Sequence, residues 1–267
     1  VPPPLRTARD LPEDLRLDER RHARWLRICR LYARWLRART TGLQHLPADG
    51  PVLLVGNHAG LRSLDHMALQ AAVTAATGRP VRGLAHRSVA GTPLVETAHV
   101  AYAGAVIGEP AVAGRLLEAG EVLAVYPEGG RSTDKPFRDR DRVLPRPAWS
   151  DGWVRVAVEH GAAIVPVGFS GFEATVPTVA RSRALGRLWG LDGELPVSPQ
   201  SLVTGTVPFL ASLLPFPVRC AVAIGAPVHA EDELGRPPAD DLDRGALSTI
   251  VRRRVQRLVA DARTLRA

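Results

Sequence analysis

Apolar positions along this chain follow two alternating patterns. Short runs rich in β-branched residues, Val52–Val55, Val81–Ala85, Ala103–Ile107, Val122–Tyr126, Ala163–Gly168 and Val218–Ile224, read as buried strands. Between and after them, residues 64–77, 110–119, 151–160 and 245–265 carry apolar positions at helical spacing. Strands alternating with helices predict an α/β fold, a single domain with a largely parallel mixed sheet flanked by helices. The runs ending at Val55 and Tyr126 stop at Gly56 and Pro127 and open into polar loops. Open α/β sheets bind ligands beyond the carboxyl ends of their strands, so these two loops are the first places to look for chemistry.

The amino-terminal part reads differently. Residues 1–18 are Pro-rich and charged and are expected to form an irregular lead-in. From Glu19 to Arg39 the apolar residues Trp25, Ile28, Leu31, Tyr32, Trp35 and Leu36 recur at helical spacing, and arginines at 20, 21, 24, 27, 30, 34, 37 and 39 occupy the other faces. This predicts an amino-terminal basic amphipathic helix within residues 19–42, ahead of an α/β domain over 43–267. Indoles on the apolar stripe and guanidinium groups beside it suit an anionic membrane surface. Packing of Trp25 and Trp35 on the domain is the competing use of the same stripe, and the two are compatible. Residues 186–217 are so punctuated by Pro and Gly that an irregular surface segment is expected there.

Composition narrows the setting. The chain has 267 residues, 45% of them apolar, enough for a full core. Its formal charge is +8, and among 35 basic residues Lys135 is the one lysine. The Arg excess fits attraction to phosphate, and equally a genomic bias toward Arg. Nucleic acid is not expected as a partner, because no helix-turn-helix, zinc-finger or aromatic RNA-binding signature accompanies the arginines. Two distant cysteines, Cys29 and Cys220, argue for a reducing compartment. The first eighteen residues lack an apolar centre, and the longest apolar stretch, Val203 to Val218, is broken by Pro208, Pro215 and Pro217. A cytoplasmic protein, peripheral at the inner face of the cell membrane, is therefore expected. His58, His66, His86 and His99 show no ligand spacing, so no metal is expected.

In the first loop, His58 lies just past a strand end and is the candidate general base, since imidazole titrates near neutrality. Asp65 is the candidate group to orient it. On one continuous helix two residues seven apart would lie about 10 Å apart, too far for a hydrogen bond. Ala59–Arg62 must then be a loop. Gly60 permits the turn, and Ser63 can cap a helix that holds Asp65 in its first turn, where the helix dipole favours a carboxylate. In the second loop, Glu128, Gly129, Gly130, Arg131 and Ser132 put an acid, two glycines, a guanidinium and a hydroxyl together, a composition suited to bringing backbone amides and Arg131 close to phosphate. A surface turn with an incidental salt bridge is the plainer reading of that loop.

Taken together, Asn57-His58 with Asp65, Tyr126-Pro-Glu-Gly-Gly-Arg-Ser132, Ile164-Val-Pro-Val167 and Gly225-Ala-Pro-Val228 resemble the motif series of the PlsC-like lysophospholipid and glycerol-phosphate acyltransferases, from about Leu43 to Val228. The resemblance implies a glycerol-phosphate acyltransferase-like fold and an acyltransferase. It would move a fatty acyl group from a thioester of coenzyme A or acyl carrier protein to a hydroxyl of a lysophospholipid or related lipid-like alcohol. His58 would deprotonate that hydroxyl and Asp65 would hold the imidazole. Asn57, Glu128, Gly129, Gly130, Arg131 and Ser132 would contact substrate, and no cofactor beyond the acyl donor is implied.

Three departures bear on this. Gly130 replaces the family's Thr. Six residues rather than four separate His58 from Asp65, and counting puts Ser63 at the family's Asp position. An expanded loop that folds Asp65 back and an incomplete dyad both remain open. Finally, the stretch Gly104 to Pro110 lacks the Arg that family members use on glycerol phosphates, unless Arg87 or Arg115 replaces it. This favours a non-glycerophosphate acceptor, such as a specialised metabolite; a noncatalytic lipid-binding relative is a separate alternative.

Overall fold

The structure is a computed structural model that describes residues 7–58, 63–85, 102–135, 137–188, 195–200 and 215–267. Helix α1 (Glu19–Trp35) leads into the short strand β1 (Arg39–Thr41). Then come β2 (Val52–Gly56), α2 (Leu64–Thr77), β3 (Val81–Ala85), β4 (Val106–Ile107), α3 (Pro110–Glu118), β5 (Val122–Val125), α4 (Gly152–Glu159) and β6 (Ala163–Ser170). A small hairpin-like pair, β7 (Ala180–Ser182) and β8 (Leu195–Val197), flanks α5 (Arg183–Leu188). The chain finishes with β9 (Ala221–Ile224), α6 (Ala230–Leu234) and α7 (Asp241–Arg266).

Seven strands form one sheet in the order β1-β9-β6-β2-β5-β3-β4, parallel throughout except for the antiparallel β6–β9 pair. Side chains alternate across a strand, and β2 shows both faces put to use. Leu53 and Val55 join a core with Leu116 of α3, Val154 of α4 and Val251, Val255 and Val259 of α7. Val52 and Leu54 join the opposite core with Cys29 of α1, Leu36 just beyond its end, and Met67 and Leu69 of α2. Helices thus cover both faces, the arrangement a largely parallel sheet requires. At Gly168 an added Cβ would run into the α7 backbone at Leu258 and Val259, so glycine lets α7 lie directly on β6.

Several boundaries differ from the sequence reading. The amino-terminal helix stops at Trp35 rather than Arg39, because Arg39–Thr41 pair in parallel with Ala221–Ala223 of β9 and become a sheet edge. The lead-in is partly structured: Leu11 sits between two 3-10 turns, Ala8–Asp10 and Glu13–Leu15, and is buried in the core. The strand expected at Ala103–Ile107 shortens to β4, and that expected at Val218–Ile224 to β9. Residues 186–217 include the end of α5 and all of β8. Positions 189–194 and 201–214 of that segment lie outside the described residues, as do Gly60 with the rest of 59–62, and His86, Arg87 and His99. Among the described residues no helix is long and apolar enough to cross a membrane.

Candidate active site

Strand register places the two polar loops side by side. β2 pairs in parallel with β5, Val55 opposite Val125, so the chain leaves both strands at the same edge of the sheet. β2 also pairs with β6, and Asn57 extends that pairing with its side chain. Its amide Nδ2 donates to the Phe169 carbonyl at 3.1 Å and its Oδ1 accepts from the Phe169 N–H at 2.8 Å. Asn57 is expected from sequence to touch substrate; here it is buried and anchors the strand end that carries His58.

His58 meets Asp65 directly, Nδ1 to Oδ2 at 2.8 Å, with Asp65 1% and His58 15% exposed at the side chain. The remaining Asp65 oxygen accepts the His66 backbone N–H at 2.8 Å. Asp65 lies in the first turn of α2, as the loop argument required. Ser63 is the N-cap residue but makes no side-chain capping bond, in contrast to the sequence reading. It adopts a left-handed conformation (φ 50°), which turns the chain sharply into α2. Burial opposes the charged imidazole, but Asp65, by charge and hydrogen bond, and Glu128, by charge, outweigh it and outweigh Lys135. The His58 pKa is therefore raised above its ordinary 6.5. With Nδ1–H directed at Asp65, the Nε2 lone pair is the one left for a substrate proton.

The second loop is built around Glu128. Its Oε2 accepts from the His58 backbone N–H and from Lys135 Nζ, both at 3.2 Å, and its Oε1 accepts from the Leu144 N–H at 2.6 Å. Lys135 and Glu128 form a buried ion pair, with Lys135 Nζ also donating to the Arg142 carbonyl at 3.2 Å. Both carboxylate oxygens are thus engaged by protein donors, and Glu128 ties the loop to the backbone of His58. Gly129 has φ +51°, a left-handed turn that a side chain would strain, and starts the 3-10 turn Gly129–Asp134 that contains Gly130. Ser132 is buried and donates to the Gly129 carbonyl at 2.9 Å. Arg131 is exposed. Its Nη1 donates to the Pro147 carbonyl at 2.8 Å, while its Nε and Nη2 have no partner among the described residues.

A cleft of about 1210 Å³ opens against these groups, with Tyr126, Glu128, Gly129 and Arg131 in its wall. Leu53, Leu84, Leu117, Val125 and Val156 give it apolar sides, and Glu109, at the start of α3, reaches it from the β4 end. Arg115 is exposed on α3. His58 stacks on the Tyr126 ring at 4.6 Å between centroids. No cluster of three metal-ligating His, Cys, Asp or Glu side chains occurs among the described residues.

Sequence reasoning gave no role to three neighbours of this site. His66 contacts the Tyr126 hydroxyl at 2.8 Å, Lys135 neutralises Glu128, and Glu173, in the turn after β6, has both carboxyl oxygens buried with no hydrogen-bond partner. The signal for Lys135 was present, since it is the one lysine in an arginine-rich chain. Tyr126, which His66 contacts, is marked in the sequence by its place at the start of the Pro-Glu-Gly-Gly-Arg-Ser motif.

A mixed, mostly parallel sheet covered on both faces, with a His–Asp pair beside a Glu-Gly-Gly-Arg-Ser loop at its edge, defines an acyltransferase-type α/β fold. The comparisons agree. A family profile described as Acyltransferase matches residues 37–170, about half of the sequence, and the chain belongs to that family. An uncharacterized protein of Mycobacterium leprae is 33% identical over 237 residues, covering 86% of this chain and 62% of its own length. An uncharacterized protein of Mycobacterium tuberculosis H37Rv is 32% identical, with 86% and 64% covered. The chain thus spans under two thirds of the length of these relatives. The fold is that of the crystal structure of the 1-acyl-sn-glycerophosphate (LPA) acyltransferase PlsC from Thermotoga maritima, with a TM-score of 0.53 at 18% identity, over 92% of this chain and 85% of that one.

Proposed function

We propose that the chain transfers a fatty acyl group from a thioester of coenzyme A or acyl carrier protein to a hydroxyl of a lysophospholipid or related amphiphilic alcohol. The observation that carries this is the 2.8 Å His58–Asp65 contact at a strand end, on a tyrosine that lines a large cleft with Arg131 in its wall. His58 Nε2 takes the proton of the acceptor hydroxyl as its oxygen attacks the thioester carbonyl carbon. Asp65 stabilises the imidazolium that results. Collapse of the tetrahedral oxyanion breaks the carbon–sulfur bond, and the departing thiolate takes the proton back from His58. Arg131, with two nitrogens uncommitted among the described residues, offers a charged fork to a phosphate of donor or acceptor. Gly129, Gly130 and Ser132 shape the loop that presents it. Asn57 and Glu128 serve the same site by holding the two strand ends together.

One observation favours an acceptor without a glycerol phosphate. The Gly104–Pro110 stretch carries no Arg, and the charged residue it does present to the cleft is Glu109, which repels a phosphate. A hydroxyl-rich amphiphile suits that wall better. The setting that goes with this chemistry is the cytoplasmic face of a membrane, with α1 as the contact.

The test is product analysis by mass spectrometry after incubation with acyl-coenzyme A or acyl carrier protein thioesters and a panel of acceptors, with and without phosphate. His58→Ala is expected to lower turnover by at least about a thousandfold while the fold survives, Asp65→Asn to lose most of the activity and Ser63→Ala little. No acylated product from any acceptor, with the thioester intact, rejects the reading. A Ser63 variant more damaged than the Asp65 variant rejects the assignment of Asp65.

A further inference from the structure

His58 is gripped from a second side by groups the acyl-transfer steps do not use. The Tyr126 ring lies under its imidazole with centroids 4.6 Å apart and planes only 23° from parallel. The Tyr126 hydroxyl meets His66 Nδ1 at 2.8 Å, and the His66 ring stands edge-on to Tyr126 at 5.8 Å. His66 in turn follows Asp65 on α2, and its backbone N–H binds the Asp65 carboxylate. The contacts form a closed circuit, from His58 to Asp65, along the chain to His66, across to Tyr126 and back to His58. His66 is wedged against Gly83 of β3, where a Cβ would come within 3.0 Å of its Nε2, so the ring that holds the phenol has little freedom.

We propose that Tyr126 is a positioning residue: its ring, anchored through its hydroxyl by His66, keeps the His58 imidazole facing Asp65 and steadies the positive charge that His58 gains during transfer. The physical basis is the electron-rich face of the phenol, which attracts a cation held within about 6 Å and does so more strongly where water is excluded. A phenylalanine would supply the face without the anchor. Tyr126 stays a neutral phenol, because burial and the Asp65 charge push its pKa well above 10. Its effect on His58 is therefore that of a π face and a wall, separate from the charges of Asp65, Glu128 and Lys135, which also face the imidazole, and from Glu173, whose charge reaches Asp65. The catalytic part of this inference rests on His58 being the base; the stacking part does not.

The experiment pairs an NMR titration of the His58 imidazole with pH profiles of kcat/KM, in the wild type, Tyr126→Leu and Tyr126→Phe. Removing the face in Tyr126→Leu is expected to lower the His58 midpoint by about half a pH unit or more and kcat by about tenfold, with KM little changed. Tyr126→Phe, which keeps the ring and serves also if the leucine variant does not fold, is expected to hold the midpoint near the wild-type value and lose severalfold in kcat. A wild-type midpoint in Tyr126→Leu overturns the stacking role, and wild-type kcat in Tyr126→Phe overturns the anchor. If the wild type forms no acylated product yet Tyr126→Leu moves the His58 midpoint, acyl transfer is wrong and the stacking stands.

Discussion

Glu173 shows how much a single buried group near this site can cost. Burial, with the charges of Asp65 and Asp141 added, pushes its pKa up to about 7 against the pull of its own backbone N–H and Lys135. An unfolded glutamate titrates near 4.3, so between roughly pH 4.3 and 7 the native state binds more protons than the unfolded one. Stability conferred while the group is protonated is therefore lost as pH rises through that window. The loss is on the order of 3 kcal/mol once the carboxylate is fully charged. Glu173→Gln is expected to raise the melting temperature at pH 8 and to leave it nearly unchanged at pH 4.5. Equal shifts at both pH values would show that the carboxyl is not held in its neutral form. Nothing in the sequence marked this residue, because the groups that act on it, Asp65, Lys135 and Asp141, come from distant parts of the chain. His58 and Asp65 were legible for the opposite reason. His58 follows a strand end and Asp65 lies seven residues on, and since no hydrogen bond spans seven residues of helix, Asp65 had to belong to a helix that starts after His58.

At the scale of the element, the loop after β5 depends on one buried ion pair. Glu128 holds the His58 backbone, Leu144 and Lys135 at once, so removing the cation strands a buried carboxylate. Lys135→Met is expected to destabilise the protein by roughly 3–5 kcal/mol in chemical denaturation, against much less for Arg138→Met, whose side chain is exposed beside Asp139. Equal costs would mean that Glu128 finds its compensation elsewhere. The pattern of the chain located β2, β3, β5, β6, α2, α3 and α4 to within a few residues, since each is a run or stripe long enough to show its period. It missed β1, β7, β8, α5 and α6, none longer than six residues and none with an apolar period of its own. β1 is a strand because β9 offers it an edge, and that is a tertiary fact. The reversal at β9, which lies between β6 and β1, antiparallel to β6 and parallel to β1, was equally hidden, because a buried run reads the same in either direction.

For the molecule as a whole, α1 settles what the apolar stripe of the sequence left undivided. Cys29 and Leu36 are fully buried in the core that α2 shares, and Trp25 donates its indole N–H to Gln70 at 2.8 Å, so this edge of the helix belongs to the core. Ile28, Leu31 and Trp35 stay 42%, 62% and 55% exposed on the adjoining edge. Trp35 donates to the Pro215 carbonyl at 2.8 Å, which brings the exposed Phe216 close to that edge. Arg24, Arg27, Arg30 and Arg34 are exposed on the same helix. An apolar strip flanked by guanidinium groups is what an interfacial helix presents to anionic lipid, and each such charge contributes about 1 kcal/mol near the surface. Neutralising Arg27, Arg34 and Arg37 together is therefore expected to weaken binding to anionic vesicles on the order of a hundredfold at low salt. Leu31→Ser with Trp35→Ser is expected to weaken binding to anionic vesicles even at salt that screens the arginines. Neither set touches the buried edge, and the one hydrogen bond lost among the described residues is that from Trp35 to Pro215, so melting temperature should hold in the arginine set and fall only slightly in the other while sedimentation with vesicles falls in both. Wild-type sedimentation in both sets would return α1 to a purely structural role and detach the proposed lipid chemistry from any membrane contact through this helix.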